Sequence, residues 1–163
     1  MEDLKDSNNT FSPFTSSNED APAYWMADSL WLIKSTAEQT GGKFSMLDQT
    51  MPEGAGPGPH IHDDMEEFFY VIEGEITITI ADKVHVLTAG CFGAVPRNTV
   101  HHFKITSKEN CRALNMYLPG GFEKGIMEHA MKAVTRTVPP KGLTPMPGGK
   151  DMPKGMAVVP ENK

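Results

Sequence analysis

Residues 54–74, GAGPGPHIHDDMEEFFYVIEG, decide how this chain is read. From Gly54 to Pro59, glycine and proline leave no room for regular structure, so the stretch opens as a loop. His60-Ile61-His62 follows. In an extended strand, residues i and i+2 point to the same side, about 6–7 Å apart along the chain. Two imidazoles so placed can converge on one ion at about 2.0–2.2 Å each. Asp63-Asp64-Met65 is a short turn that brings the next strand back alongside. Glu67 to Ile72 is that strand, Glu73-Gly74 a tight turn, and Glu75 to Ala81 the returning strand. Glu67, Phe69 and Val71 share one face, with Glu66, Phe68, Tyr70 and Ile72 on the other. Glu67 therefore projects inward beside the histidines. A fourth group is expected from the distant stretch Pro96 to His101.

Outward from this segment the signals are almost all β. Residues 24–34 read as a strand pair around Asp28-Ser29, with Trp25, Leu30, Trp31 and Ile33 as strand-type residues. A further run spans 43–51, and others follow at His85–Leu87, Phe92–Val95, Val100–Thr106 and Arg112–Leu118. Short strands separated by turns every 8–12 residues predict an all-β sandwich or barrel. One segment differs: Phe122, Ile126, Ala130 and Ala133 or Val134 form a helical stripe. With Glu123 near its start and Lys132 near its end, 121–134 is expected to be one capping helix. The predicted organisation is a polar arm at 1–21, a β-barrel with its capping helix at 22–134, and a Pro/Gly-rich tail at 135–163. The tail's composition resists helix and sheet alike. Phe11 and Phe14 are the arm's aromatics and are candidates to dock on the body or on a second copy. Both faces of Phe68–Ile72 are apolar, so both are expected to be buried, the outer one under a second sheet, an arm or a partner subunit. That motivates a homodimer.

An H-x-H taken alone is equally a pair of exposed loop histidines. The surrounding spacing decides. Gly54-x5-His60-x-His62-x4-Glu67-x6-Gly74 reproduces the first cupin motif at every fixed position, and Gly90-x5-Pro96-x-Asn98-x2-His101 most of the second. The chain thus resembles the cupin superfamily, whose fold is a double-stranded β-helix, or jelly-roll barrel. Asn98 stands where the second motif has glycine, and asparagine tolerates the same positive-φ bend. Ile105 replaces a final asparagine that is not a metal ligand in the family. Both Glu66 and Glu67 fit the motif's variable spacing, but only Glu67 leaves six residues before Gly74. His102 falls one residue off the ligand phase and should face outward, while His85 and His129 lack convergent partners.

The chain is similar, more narrowly, to quercetin 2,3-dioxygenase-like cupins. That likeness runs from Ala23-Tyr-Trp through Thr40-Gly-Gly-Lys-Phe-Ser, Phe69-Tyr-Val-Ile-Glu-Gly-Glu75 and Val95-Pro-Arg to Leu118-Pro-Gly-Gly-Phe-Glu123. The resemblance implies one divalent transition ion, with Fe, Mn, Ni, Co, Cu and Zn all compatible with the ligand set. His60, His62, Glu67 and His101 would hold it, with Glu67 also the general base. The implied reaction is ring opening of a flavonol-like or other enolisable molecule by O2. Phe69 and Phe103, on the inward phase beside ligands, are the candidate substrate-pocket residues. An isomerase or decarboxylase, or a non-catalytic small-molecule-binding cupin, are the alternatives.

Bulk properties narrow the partners. A chain of 163 residues with 39% apolar and 22% charged residues points to one soluble domain. Its net charge of −6 leaves no basic face for nucleic acid. No apolar run approaches the ~18 residues of a membrane span. The start is acidic and polar, unlike a secretory leader. With two cysteines, Cys91 and Cys111, too few for a disulfide framework, a cytoplasmic location is expected.

Overall fold

The computed structural model describes residues 11–144, 146 and 156–159. Its first hairpin joins β1 (Ala23–Met26) to β2 (Ser29–Ser35). Between them Ala27 and Asp28 both take positive φ, 54° and 52°, the combination whose twist matches the flanking strands. The strands β3 (Ser45–Met51), β4 (His60–His62), β5 (Glu66–Glu73) and β6 (Glu75–Ile80) follow. Then come β7 (Lys83–Thr88), β8 (Phe92–Val95), β9 (His101–Ile105) and β10 (Cys111–Leu118). The helix α1 (Phe122–His129) precedes two short strands, β11 (Met131–Lys132) and β12 (Met156–Val158).

Two antiparallel sheets result. One has the order β11-β1-β2-β3-β10-β5-β8 and the other β12-β4-β9-β6-β7. This is the expected all-β jelly-roll architecture with one short helix. Inward residues of both sheets meet in a core of Met51, Phe69, Val71, Ile76, Ile78 and Ile105, all fully or almost fully buried. The turn from β5 to β6 needs Gly74: its φ is +80°, and a Cβ there would lie 2.8 Å from the Cys111 Cα. The Gly-rich loop before β4 is stitched onto β9, Gly54 N donating to Ile105 O and Ile105 N to Ala55 O, each at 2.9 Å. At Gly56 a Cβ would fall 2.0 Å from the Phe103 carbonyl oxygen, so this loop lies on β9 only because that position is glycine.

Two expectations are corrected. The helix ends at His129 rather than Val134, because Ala130 is extended and Lys132 pairs with Tyr24 at the open edge of β1. Its start is fixed by buried Glu123, whose carboxylate accepts from Ala37 N at 2.7 Å and Gly121 N at 3.0 Å. The tail does form sheet: Met156–Val158 lies antiparallel on β4, with Ala157 opposite Ile61. This Pro-free stretch covers the backbone of a strand that would otherwise be a bare edge. Within this chain the inner face of β5 is buried and the outer face is partly open. Tyr70 is exposed, Phe68 and Ile72 are half-buried, and Phe92 on β8 stacks on Phe68 with its own ring exposed.

At the N-terminal side, Phe11 lies edge-on against Phe44 at 5.8 Å, and the earlier part of the arm falls outside the described residues. The described tail also packs on the body. The Trp25 indole donates to Thr137 O at 2.8 Å, and the Asp28 carboxylate accepts from Gly142 N at 2.6 Å and Thr144 N at 3.0 Å.

Candidate metal centre

Three strands bring the four expected ligands together. β4 supplies His60 and His62 on one face, β5 supplies Glu67, and β9 supplies His101, which pairs directly with His60. One ligand atom from each lies within 4.8 Å of the others. Donors on opposite sides of an ion at about 2.1 Å are about 4.2 Å apart, so the cluster is already near that size. All four are buried, none above 3% exposed. The turn carrying His101 is tied to β4 through Asn98, whose N–H donates to His62 O at 2.6 Å from a φ of 60°. The left-handed bend expected of asparagine at that position is present.

Hydrogen bonds set the imidazoles. His60 Nδ1 donates to Gly58 O and His101 Nδ1 to Thr99 O, both at 2.9 Å, which leaves each Nε2 as the atom that could ligate an ion. The two oxygens of Glu67 have different tasks. Oε2 faces His101 Nε2 at 2.9 Å and His62 Nε2 at 3.3 Å. Oε1 accepts from the Tyr117 hydroxyl at 2.7 Å and from Asn115 Nδ2 at 3.1 Å. Burial opposes ionisation of Glu67, but hydrogen bonds from His101 and His62 outweigh it and hold the carboxyl well below its ordinary range. Burial, then the neighbouring His101, pushes His60 down to about 4. His101 itself is raised: burial lowers it, and the hydrogen bond to Glu67 more than compensates. Tyr117 is raised well above its usual value by burial and by the Glu67 charge, so it stays a donor. A neutral imidazole at His60 and an anionic carboxylate are the protonation states a divalent ion requires. The donor set fits one such ion.

Beside the cluster is a cavity of about 40 Å³, walled by Trp31, Phe103, Tyr117 and Phe122, with Gln49 and Asn115 among its polar lining. A second cavity of about 280 Å³ includes Asp28, Glu53, Pro139 and Lys141 in its lining. Ala27, Gly56 and Met146 border both. Phe103 is thus at the pocket. Phe69 is not: it lies one layer deeper in the core, edge-on to Phe103 at 5.5 Å. Two residues along β5 from Glu67, its ring is already among the aliphatic side chains.

Glu66 points outward into a bidentate pair with Arg97, at 2.7 and 2.9 Å. His102 is half-buried, and His85 and His129 are exposed away from the cluster. Sequence reasoning missed Trp31, Gln49, Asn115, Tyr117 and Phe122. For two of them a signal existed: in β10 the inward phase reads Cys111, Ala113, Asn115, Tyr117, and polar groups on a buried phase mark a site.

Comparison with known proteins agrees with this geometry. Residues 47–117 match the cupin domain family. The chain is 31% identical over 96 residues to quercetin 2,3-dioxygenase of Bacillus subtilis, covering 59% of this chain and 28% of that protein. It is 30% identical over 95 residues to quercetin 2,3-dioxygenase of Aspergillus japonicus, covering 54% of this chain and 27% of that one. The chain therefore spans about a quarter of the length of these curated relatives. Among solved structures it is similar to oxalate decarboxylase of Bacillus subtilis, which has Mn(II) centres. The TM-score is 0.60 at 17% identity, over 76% of this chain and 33% of the other.

Proposed function

We propose that this chain, whose residues 47–117 match the cupin domain family, is a cupin and a metal-dependent dioxygenase acting on a flavonol-like or other enolisable small molecule. The observation that carries the reading is Glu67. Its Oε1 is tied down by Tyr117 and Asn115 while its Oε2 is turned to His62 and His101 beside a mostly apolar cavity. The likeness to two quercetin 2,3-dioxygenases supports the substrate class.

His60, His62, His101 and Glu67 would hold the ion, which supplies Lewis acidity and open coordination positions when bound. The rest of the work belongs to the chain. Glu67 accepts the acidic proton of the substrate at Oε2, the oxygen not engaged by Tyr117 and Asn115. Those two donors keep the carboxylate oriented for that transfer. Trp31, Phe103 and Phe122 exclude water and favour an apolar, planar substrate.

Oxygen-electrode assays test this: metal-loaded protein should take up O2 with at least one member of a panel of flavonols and 1,3-diketones. No uptake across the panel removes the dioxygenase reading. The small inner cavity favours a second reading, a decarboxylase of a compact acid, which would release CO2 without consuming O2. Assembly as a homodimer in the cytoplasm completes the proposal. The open face of Phe68, Tyr70 and Phe92 would be covered by a second copy, and Cys91 and Cys111 are both free thiols. A monomer by light scattering at micromolar concentration would rule the dimer out.

A further inference from the structure

The inner cavity contains a polar feature that the metal-centre reading does not use. Among the described residues, Gln49 Oε1 and Asn115 Oδ1 are buried acceptors with no hydrogen-bond partner, and both residues line the cavity. Gln49 is 3% exposed and Asn115 1%. Ser35 Oγ is also buried and unpartnered, but its residue lines neither cavity.

The Asn115 amide cannot be turned round. Its Nδ2 donates to Glu67 Oε1 at 3.1 Å, and the reversed amide would set two acceptor oxygens against each other. Its carbonyl oxygen therefore points away from Glu67. On the paired strand β3, Leu47 lies opposite Asn115 and Gln49 opposite Ala113. Gln49 and Asn115 are thus diagonal neighbours on the same inward face, close enough for one ligand group to meet both. A buried acceptor left unmade is costly, whereas a partner brought by a ligand removes that cost and adds selectivity.

We propose that Gln49 Oε1 and Asn115 Oδ1 form a receptor for an O–H or N–H group on the ligand, next to the oxygens it presents to the metal centre. The site then selects chelating molecules that carry an extra hydrogen-bond donor on a compact head. The cavity sets the size of that head. About 40 Å³ holds roughly three water-sized groups, while any larger body is left to the outer cavity of about 280 Å³. This rests on the metal-centre reading, since the receptor acts on a ligand held by the ion.

The test uses two small chelators of equal bite. Acetohydroxamate binds metals through two oxygens and keeps an N–H; N-methylacetohydroxamate binds the same way and lacks it. Cobalt(II)-loaded protein is titrated with each, and the change in the cobalt absorption spectrum gives the affinities. Wild type should prefer acetohydroxamate by about 10-fold or more, and Gln49→Met should bring the ratio close to that of the two chelators with free cobalt(II). A wild-type ratio equal to that free-ion value overturns the receptor without any variant being needed. So does a Gln49→Met protein that weakens both chelators equally. Absence of binding by either chelator also overturns it. Elemental analysis then separates the two readings: stoichiometric cobalt leaves the metal centre standing, and its loss removes both.

Discussion

The two halves of the barrel interior are built from the same strands and have opposite chemistry. On β5, Glu67 belongs to the metal cluster, while Phe69 and Val71 on the same face lie in the apolar core. On β10, Tyr117 and Asn115 hold Glu67, while Ala113 and Cys111 are core. On β9, His101 belongs to the candidate metal cluster, Phe103 borders the cavity and Ile105 is buried below it. One step of two residues along a strand therefore crosses from a polar, ligand-bearing layer into a filled hydrocarbon layer. The filled layer anchors the strands that aim the ligands, and the polar layer gives up packing to keep a cavity. Stability and binding should accordingly respond to different substitutions.

The largest effect is expected in the filled layer. Phe69 is completely buried, and Phe69→Ala should cost about 3–5 kcal/mol, a large share of the 5–15 kcal/mol typical of a domain. Urea unfolding should show this as a lower midpoint, and the protein that remains folded should keep its metal stoichiometry. If metal is lost in proportion to stability, the two layers are not separable. In the polar layer, an ion held by the four side chains would bind only their folded arrangement. At a free metal concentration 100 times the Kd it should stabilise wild type by about 2.7 kcal/mol. His62→Ala and Glu67→Ala should abolish that increment and lower bound metal by elemental analysis; unchanged stoichiometry would overturn the ligand assignment. Tyr117→Phe should do less. It removes one 2.7 Å hydrogen bond to Glu67 and leaves the ring, so metal affinity should fall by about 10- to 100-fold with binding still saturable in a metal titration.

The ease of reading these layers from the sequence differed for a physical reason. The candidate ligands are encoded locally: His60 and His62 sit two apart on one strand face, and the phase of β5 separates inward Glu67 from outward Glu66. Asn98 was legible for the same reason, because one bend in one turn fixes what that residue must do. The cavity walls are not local. Trp31 and Phe122 reach the site from β2 and α1 only after the sheets close, and nothing in their own segments distinguishes a pocket wall from core. Phe69 illustrates the opposite limit. Strand phase placed it on the correct face, but phase says nothing about depth, and one layer of depth separates pocket from core. The helix was read too long because Ala130 to Val134 suits a helical stripe, whereas pairing with β1 depends on an edge that lies about 110 residues earlier. The tail strand β12 escaped notice because prolines dominate its neighbourhood and the need it answers, an uncovered β4, is a tertiary one.

The two cysteines give the smallest and most direct probe of the contrast between filled and open structure. Cys111 is wholly buried in the filled layer, with its Cα against the turn at Gly74. Burial pushes its thiol up to about 11, against a weaker opposing hydrogen bond with the Glu75 backbone. Cys91 is half-exposed in the turn before β8. Since the thiolate is the reactive species, iodoacetamide at pH 8.5 should modify Cys91 in the folded protein and spare Cys111 until denaturant is added. The same shift has a thermodynamic sign. Between about pH 9 and about pH 11 the unfolded chain has released the Cys111 proton while the folded chain retains it, so the folded state binds more protons and stability falls as pH rises through that window. Cys111→Ala should flatten that part of the stability curve. Equal labelling of both cysteines under native conditions would mean that the filled layer opens as readily as the turns, and that the division between the two halves of the barrel does not survive in solution.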